Sequence, residues 1–173
     1  NDYPSALDFM KATSKELGRS TDRDRLIIAR HHLLNLCNIE KPDLLNFVKE
    51  FEAILSPLRT KTKYIPWAAY LDGTRYFYEE NFDKSKNKFL SIKGDSSGWL
   101  KDTADYMVVR MAKQTSLVLL SQEIEKYLSL HPRGRYADTA KNLKRYVFNG
   151  NNDRNSLVSN THRQFIKLVS KDS

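Results

Sequence analysis

Apolar residues recur at helical spacing along most of the chain, and nowhere do they alternate over a strand's length. The spacing predicts a first helix over residues 5–17, stopped by Gly18. Thr21 is the expected cap of a second, with Asp24 three residues on completing a capping box. That helix runs to about Cys37 and buries Leu26, Ala29, Leu33 and Leu36. Pro42 opens a third, with Leu44, Phe47, Val48, Phe51, Ile54 and Leu55 on its apolar face, and Ser56-Pro57 closes it. A basic link from Arg59 to Lys63 leads into the most informative stretch, residues 64–93.

That stretch reads as two short helices folded back on each other. Pro66 suits a first helical turn, where its missing N–H has no partner to lose. Ala69, Tyr70, Tyr76 and Phe77 follow at helical spacing, and Gly73 stands in the middle, where glycine costs about 1 kcal/mol against alanine. A glycine kept there predicts the close approach of a second element. Glu80-Asn81 is the expected break, with Asn81 taking the left-handed turn. Phe82, Ser85, Phe89 and Ile92 then form one stripe, so that Gly73, Tyr76, Phe82, Ser85, Phe89 and Ile92 share a seam between antiparallel helices.

Further helices are predicted over residues 99–113, with Leu100, Ala104, Met107, Val108 and Met111 inward, and 117–130, with Leu120, Ile124, Tyr127 and Leu128. Aligned on the central hairpin, this second pair either carries about four extra residues at its turn, Lys113 to Ser116, or has residues missing from the sequence at that place. After Pro132 and Gly134 a helix over 136–148 is expected, and a last one from Asp153 to about Val169 buries Leu157, Val158, Phe165 and Leu168. Between the hairpins, Gly94-Asp-Ser-Ser-Gly98 resembles the nucleophile segment of trypsin-like proteases. With no strands and no His in a matching context, an inter-helix loop is the reading.

The order small–aromatic–aromatic–small–aromatic–aliphatic in Gly73, Tyr76, Phe82, Ser85, Phe89 and Ile92 resembles a tetratricopeptide repeat, a two-helix unit of about 34 residues that stacks into a solenoid. Ser85 stands where that family usually has alanine, Asp72 holds a place normally apolar, and Trp67 lies upstream of the family tryptophan. The run from Tyr127 through His131-Pro132-Arg-Gly-Arg-Tyr136-Ala137 to Ala140 is similar to the hinge between repeats in bacterial envelope tetratricopeptide proteins. The resemblance implies an all-α fold, a right-handed α-α superhelix of stacked helix pairs, forming one domain over residues 1–173. It also implies a periplasmic or outer-membrane-associated setting, as in envelope lipoproteins, with the cytoplasm as the alternative. The chain opens Asn1-Asp2-Tyr3-Pro4, without Met or an apolar leader, and is expected to be a piece of a longer one.

Composition narrows the partners. A hydrophobic fraction of 40% with 29% charged residues describes a globular chain, and no apolar run approaches the roughly 20 residues that span a bilayer. Cys37 is the single cysteine, which excludes an internal disulfide and a cysteine-rich zinc site. The net charge of +8 is uneven: residues 133–173 hold nine basic residues against three acidic ones. Such an end meets nucleic acid, anionic lipid or an acidic protein, or simply stays solvated. Arg135, Lys141, Lys144 and Arg145 are its candidate patch, with Lys141, Lys144 and Arg145 on one side of a helix.

No phosphate loop, dinucleotide fingerprint or His-Glu-x-x-His motif occurs. His31 and His32 are adjacent and diverge by about 100° on a helix, so they cannot share a metal. His131 and His162 are isolated, and nothing around Glu50, Glu52 or Glu79-Glu80 suggests a tuned acid–base pair. We read no enzyme, no cofactor and no metal. The expected function is that of a protein-interaction scaffold holding a peptide or partner helix on a concave face. Trp67, Tyr70, Thr74 and Tyr78 line that face on the central hairpin and Lys101 and Asp105 on the next unit; the competing place for the rings is against the 44–55 helix. The alternative is a binder of nucleic acid or anionic surfaces through the basic C-terminal helices.

Overall fold

A computed structural model describes residues 3–35, 41–94 and 98–148, all helices and turns with no strand among them. The order is α1 (Tyr3–Leu17), α2 (Thr21–Asn35), α3 (Lys41–Leu55), a 3-10 turn (Ser56–Leu58), α4 (Ile65–Tyr78), α5 (Phe82–Leu90), α6 (Gly98–Thr115), α7 (Leu117–Leu130) and α8 (137–148). Where the sequence predicts one domain, the chain divides into two compact units, Asn1–Met111 and Ala112–Ser173, with the boundary inside α6. Cys37, the centre of the Gly94–Gly98 loop and the helix expected from Asp153 lie outside the described residues.

In the first unit α2 packs against α1, α3 and α4, and α4 and α5 pack on each other as a hairpin. The α1–α2 turn forms because Gly18 takes φ +66°, which ends α1 without steric cost. The cap of α2 is Ser20, one residue before the expected Thr21. Its Oγ accepts from the Arg23 amide at 3.1 Å, and that hydroxyl also meets Tyr64 Oη at 3.1 Å. The basic link to α4 is fastened to the same turn. Lys61 Nζ pairs with Asp22 at 2.5 Å, and Lys63 Nζ donates to the terminal carbonyl of α1 at Leu17. Leu26, Ala29, Leu33, Phe51, Leu55 and Leu58 are fully buried in one core with Phe9, Leu71, Phe89 and Leu100.

The central hairpin forms as the spacing predicts. A Cβ on Gly73 would stand 3.0 Å from the Phe89 ring, so the glycine is the condition for that ring to lie flat on α4. Ser85, fully buried, donates its hydroxyl to the Gly73 carbonyl at 2.8 Å. Ser85 therefore adds a bond across the seam. The break differs in detail: Glu80 takes the left-handed conformation (φ 58°), while Asn81 caps α5 by accepting from the Lys84 amide. Asn81 is worth more as a cap, and one residue cannot do both.

In the second unit Ser116 caps α7, accepting from the Leu119 amide at 3.1 Å, so most of the extra turn residues extend α6 to Thr115. Leu120, Ile124 and Tyr127 are buried on α7, as are Ala137, Ala140 and Val147 on α8. The turn between them is held by Tyr127, whose Oη accepts from the Tyr136 amide at 3.2 Å, and by His131, whose ring lies tilted at 5.2 Å from the Tyr127 ring.

Candidate interaction surfaces

Three of the four residues expected on the docking face of α4 are core. Trp67, Tyr70 and Thr74 are each about 3% exposed. Trp67 stacks on Trp99 with rings 6.0 Å apart and meets Phe9 edge-on at 5.5 Å. Tyr70 touches Phe9, Phe89 and Trp99, all within 6 Å. Thr74 spends its hydroxyl on the Tyr70 carbonyl at 2.8 Å. The rings thus pack between α1, α5 and α6, in one core that also holds Phe47, Phe51 and Leu55 of α3, and no partner reaches them without opening that core. Tyr78 is half-buried beside Phe77. Lys101 and Asp105 are half-buried and pair with each other at 2.5 Å, one turn apart on α6.

The physical reason is that α4 has no solvent face through its middle: every residue from Leu71 to Arg75 is buried. Two of those are charged. Asp72 accepts from Arg59 (Oδ1–Nη2, 2.6 Å) and pairs with Lys88 Nζ at 3.0 Å. Arg59 in turn holds Glu52 in a two-pronged contact, and Arg75 reaches Glu52 at 3.5 Å and Glu79 at 2.7 Å. The Arg75 guanidinium also lies 4.3 Å over the Tyr76 ring. Hydrogen bonding to Glu52 first, then Asp72, raises the Arg59 pKa against the opposing effect of burial. This network ties α3, the link, α4 and α5 together. Asp72 signalled it in the sequence as a charge in the middle of a largely apolar helix.

A surface that one-face reasoning missed lies between α1 and α2. The run Leu26-Ile27-Ile28-Ala29 cannot be buried by a single helical stripe. With Leu26, Ala29 and Leu33 turned inward, Ile28 faces out, 48% exposed. On α1, Leu7 (47%) and Met10 (43%) do the same. Together with Ala6, Ile27 and Leu34 they line a groove of about 380 Å³, to which the buried Arg30 and the His31 and His32 side chains also contribute. His32 lies 3.9 Å from Glu50; His31 is exposed.

The candidate basic residues lie on α8 and in the turn before it. Lys141, Lys144 and Arg145 are exposed along α8 and, with Phe148, line a shallow concavity of about 510 Å³. Arg135 sits in the preceding turn, its guanidinium 5.9 Å over Tyr136. Among the described residues no cluster of His, Cys, Asp and Glu could hold a metal ion, and no helix is long and apolar enough to cross a membrane. Comparison of the chain with family models, curated proteins and solved structures returned no match.

Proposed function

We propose that this protein is a non-enzymatic interaction scaffold of α-hairpins, stacked in the manner of tetratricopeptide repeats, which receives the apolar face of a partner's helix in the α1–α2 groove. One observation carries the reading: Leu7, Met10 and Ile28, all between 43% and 48% exposed, converge from two packed helices on a single concavity. A groove between helices, lined mainly by apolar side chains, suits an amphipathic helix whose anchors recur every turn. The α4–α5 seam at Gly73, Phe89 and Ser85 supports the stacked-hairpin arrangement. The envelope setting implied by the hinge from Tyr127 to Ala140 belongs to the same reading.

The test compares cross-linked complexes captured from native extract by three forms of the protein: wild type, the double variant Met10→Glu with Ile28→Glu, and Leu90→Glu. Leu90 is 46% exposed on α5, away from the groove, and controls for a charge placed on any apolar surface. Substitutions at such exposed positions change stability by about 0.5 kcal/mol or less, so equal melting temperatures are expected. A partner held by wild type and by Leu90→Glu but lost with the groove variant is the expected result. Identical capture by all three rules the groove out as the docking surface.

A further inference from the structure

The α8 face belongs to the second unit and is independent of the α1–α2 groove. Residues 141, 144, 145 and 148 stand at i, i+3, i+4 and i+7, which places their side chains within about 100° of one another on a helix. Three are cations and the fourth is a phenylalanine left 65% exposed; Tyr146, about 100° around the helix from Arg145, is 68% exposed. Among the described residues, packing does not explain large rings at that exposure on a helix whose Ala137, Ala140 and Val147 are already buried. The carboxylates present are weak competitors for the cations. Lys141 pairs with Asp138 at 3.0 Å, but Asp138 is 95% exposed; Lys144 pairs with Glu125 at 3.2 Å, with 52% and 61% of the two side chains exposed. Exposed pairs of this kind exchange readily with other anions. Arg145 donates to the neutral Asn142 amide at 3.4 Å.

We infer that this face binds single-stranded nucleic acid, with phosphates on Lys141, Lys144 and Arg145 and a base stacked on the Phe148 ring. Cations that track a backbone, interleaved with rings that accept unstacked bases, are the two elements of sequence-tolerant single-strand binding. A duplex keeps its bases stacked and offers Phe148 nothing. An anionic membrane is the weaker fit, because an interfacial helix needs its apolar stripe facing the lipid, and the stripe of α8 is turned into the protein. The surplus of nine basic over three acidic residues across 133–173 gives the long-range attraction the same sign.

The experiment is fluorescence anisotropy with the full chain and labelled oligo(dT) and oligo(U) of about 20 nucleotides, in about 50 to 200 mM salt. A duplex of the same length and vesicles containing phosphatidylserine run beside them. Binding to the single strands is expected to weaken with salt. Lys144→Ala should lower the slope of log affinity against log salt by about 0.7. Phe148→Ala should weaken binding roughly tenfold with little change of slope, since it removes stacking and no charge. Both residues are exposed, so the variants fold and their melting temperatures check that. The inference is overturned by absence of single-strand binding at the lowest salt. It is overturned equally by Phe148→Ala binding like wild type, by duplex bound as tightly as single strand, or by vesicles bound where oligonucleotides are not.

Discussion

The α4–α5 and α7–α8 hairpins dispose of their side chains in opposite ways. On α4 five consecutive residues, from Leu71 to Arg75, are buried, and even the charged ones are consumed by partners inside the unit. On α8 the buried residues are Ala137, Ala140 and Val147, and the cations and large rings stand outside. A helix enclosed on all sides is structural through its whole circumference, however many aromatics it carries. One that seals with a narrow, small-residue stripe leaves its chemistry available. Exposed cationic and aromatic residues on α8 are therefore better functional candidates than the richer aromatic set of α4.

If that contrast holds, substitutions on the first hairpin should cost stability and those on α8 should not. The largest loss is expected for Phe89→Ala, which empties a fully buried site between Gly73 and Tyr70: about 3–5 kcal/mol, read by chemical denaturation. Gly73→Ala sets two effects against each other. Alanine gains about 1 kcal/mol of helix propensity, while a Cβ 3.0 Å from an immobile ring overpacks by about 1–3 kcal/mol. The net is a loss, and Phe89→Leu in the same chain should relieve part of it. A Gly73→Ala protein more stable than wild type would mean that α5 does not press on α4 there.

Asp72→Asn comes next. Breaking a buried ion pair costs about 3–5 kcal/mol when the remaining charge is stranded. Here Arg59 and Lys88 keep 30% and 40% of their side chains exposed, and Arg59 keeps Glu52, so water and Glu52 absorb part of the loss. About 2 kcal/mol is expected. A smaller effect, about 1 kcal/mol, is expected for Tyr127→Phe, which removes the acceptor of the Tyr136 amide in the α7–α8 turn. A Tyr127→Phe loss exceeding that of Asp72→Asn would reverse the ranking of the two hairpins.

Much of this architecture is legible in sequence because helical periodicity and punctuation are local. Gly18, Ser56-Pro57 and Pro132 end helices where they stand, and the seam of Gly73, Ser85 and Phe89 follows from spacing alone. Caps are local too, but neighbouring candidates compete: Ser20 displaces Thr21, and Glu80 and Asn81 divide the roles expected of Asn81 alone. Burial is not local. Whether Trp67 faces solvent depends on Phe9, almost 60 residues earlier, and on Trp99, about 30 later. A single amphipathic stripe accounts for Gly73 and Tyr76 but carries no information about the opposite side of α4, where α1 and α6 lie against it. The groove was hidden for the converse reason. The apolar run at 26–29 looks like surplus core until Leu26 and Ala29 claim the inside and leave Ile28 with none.

The smallest expected effect is the most diagnostic. Glu125→Ala breaks the pair with Lys144, and Lys141→Glu reverses a cation beside Asp138, yet each should shift stability by no more than about 0.5 kcal/mol, because both pairs are solvated. Their effects on charge are opposite: Glu125→Ala frees Lys144 for an incoming anion, whereas Lys141→Glu repels one. Melting temperatures that stay level while oligonucleotide affinity rises for Glu125→Ala and falls for Lys141→Glu would separate function from fold on α8. A drop in stability of more than about 1 kcal/mol from either would show that these charges hold the helix in place, and the contrast with α4 would lose its meaning.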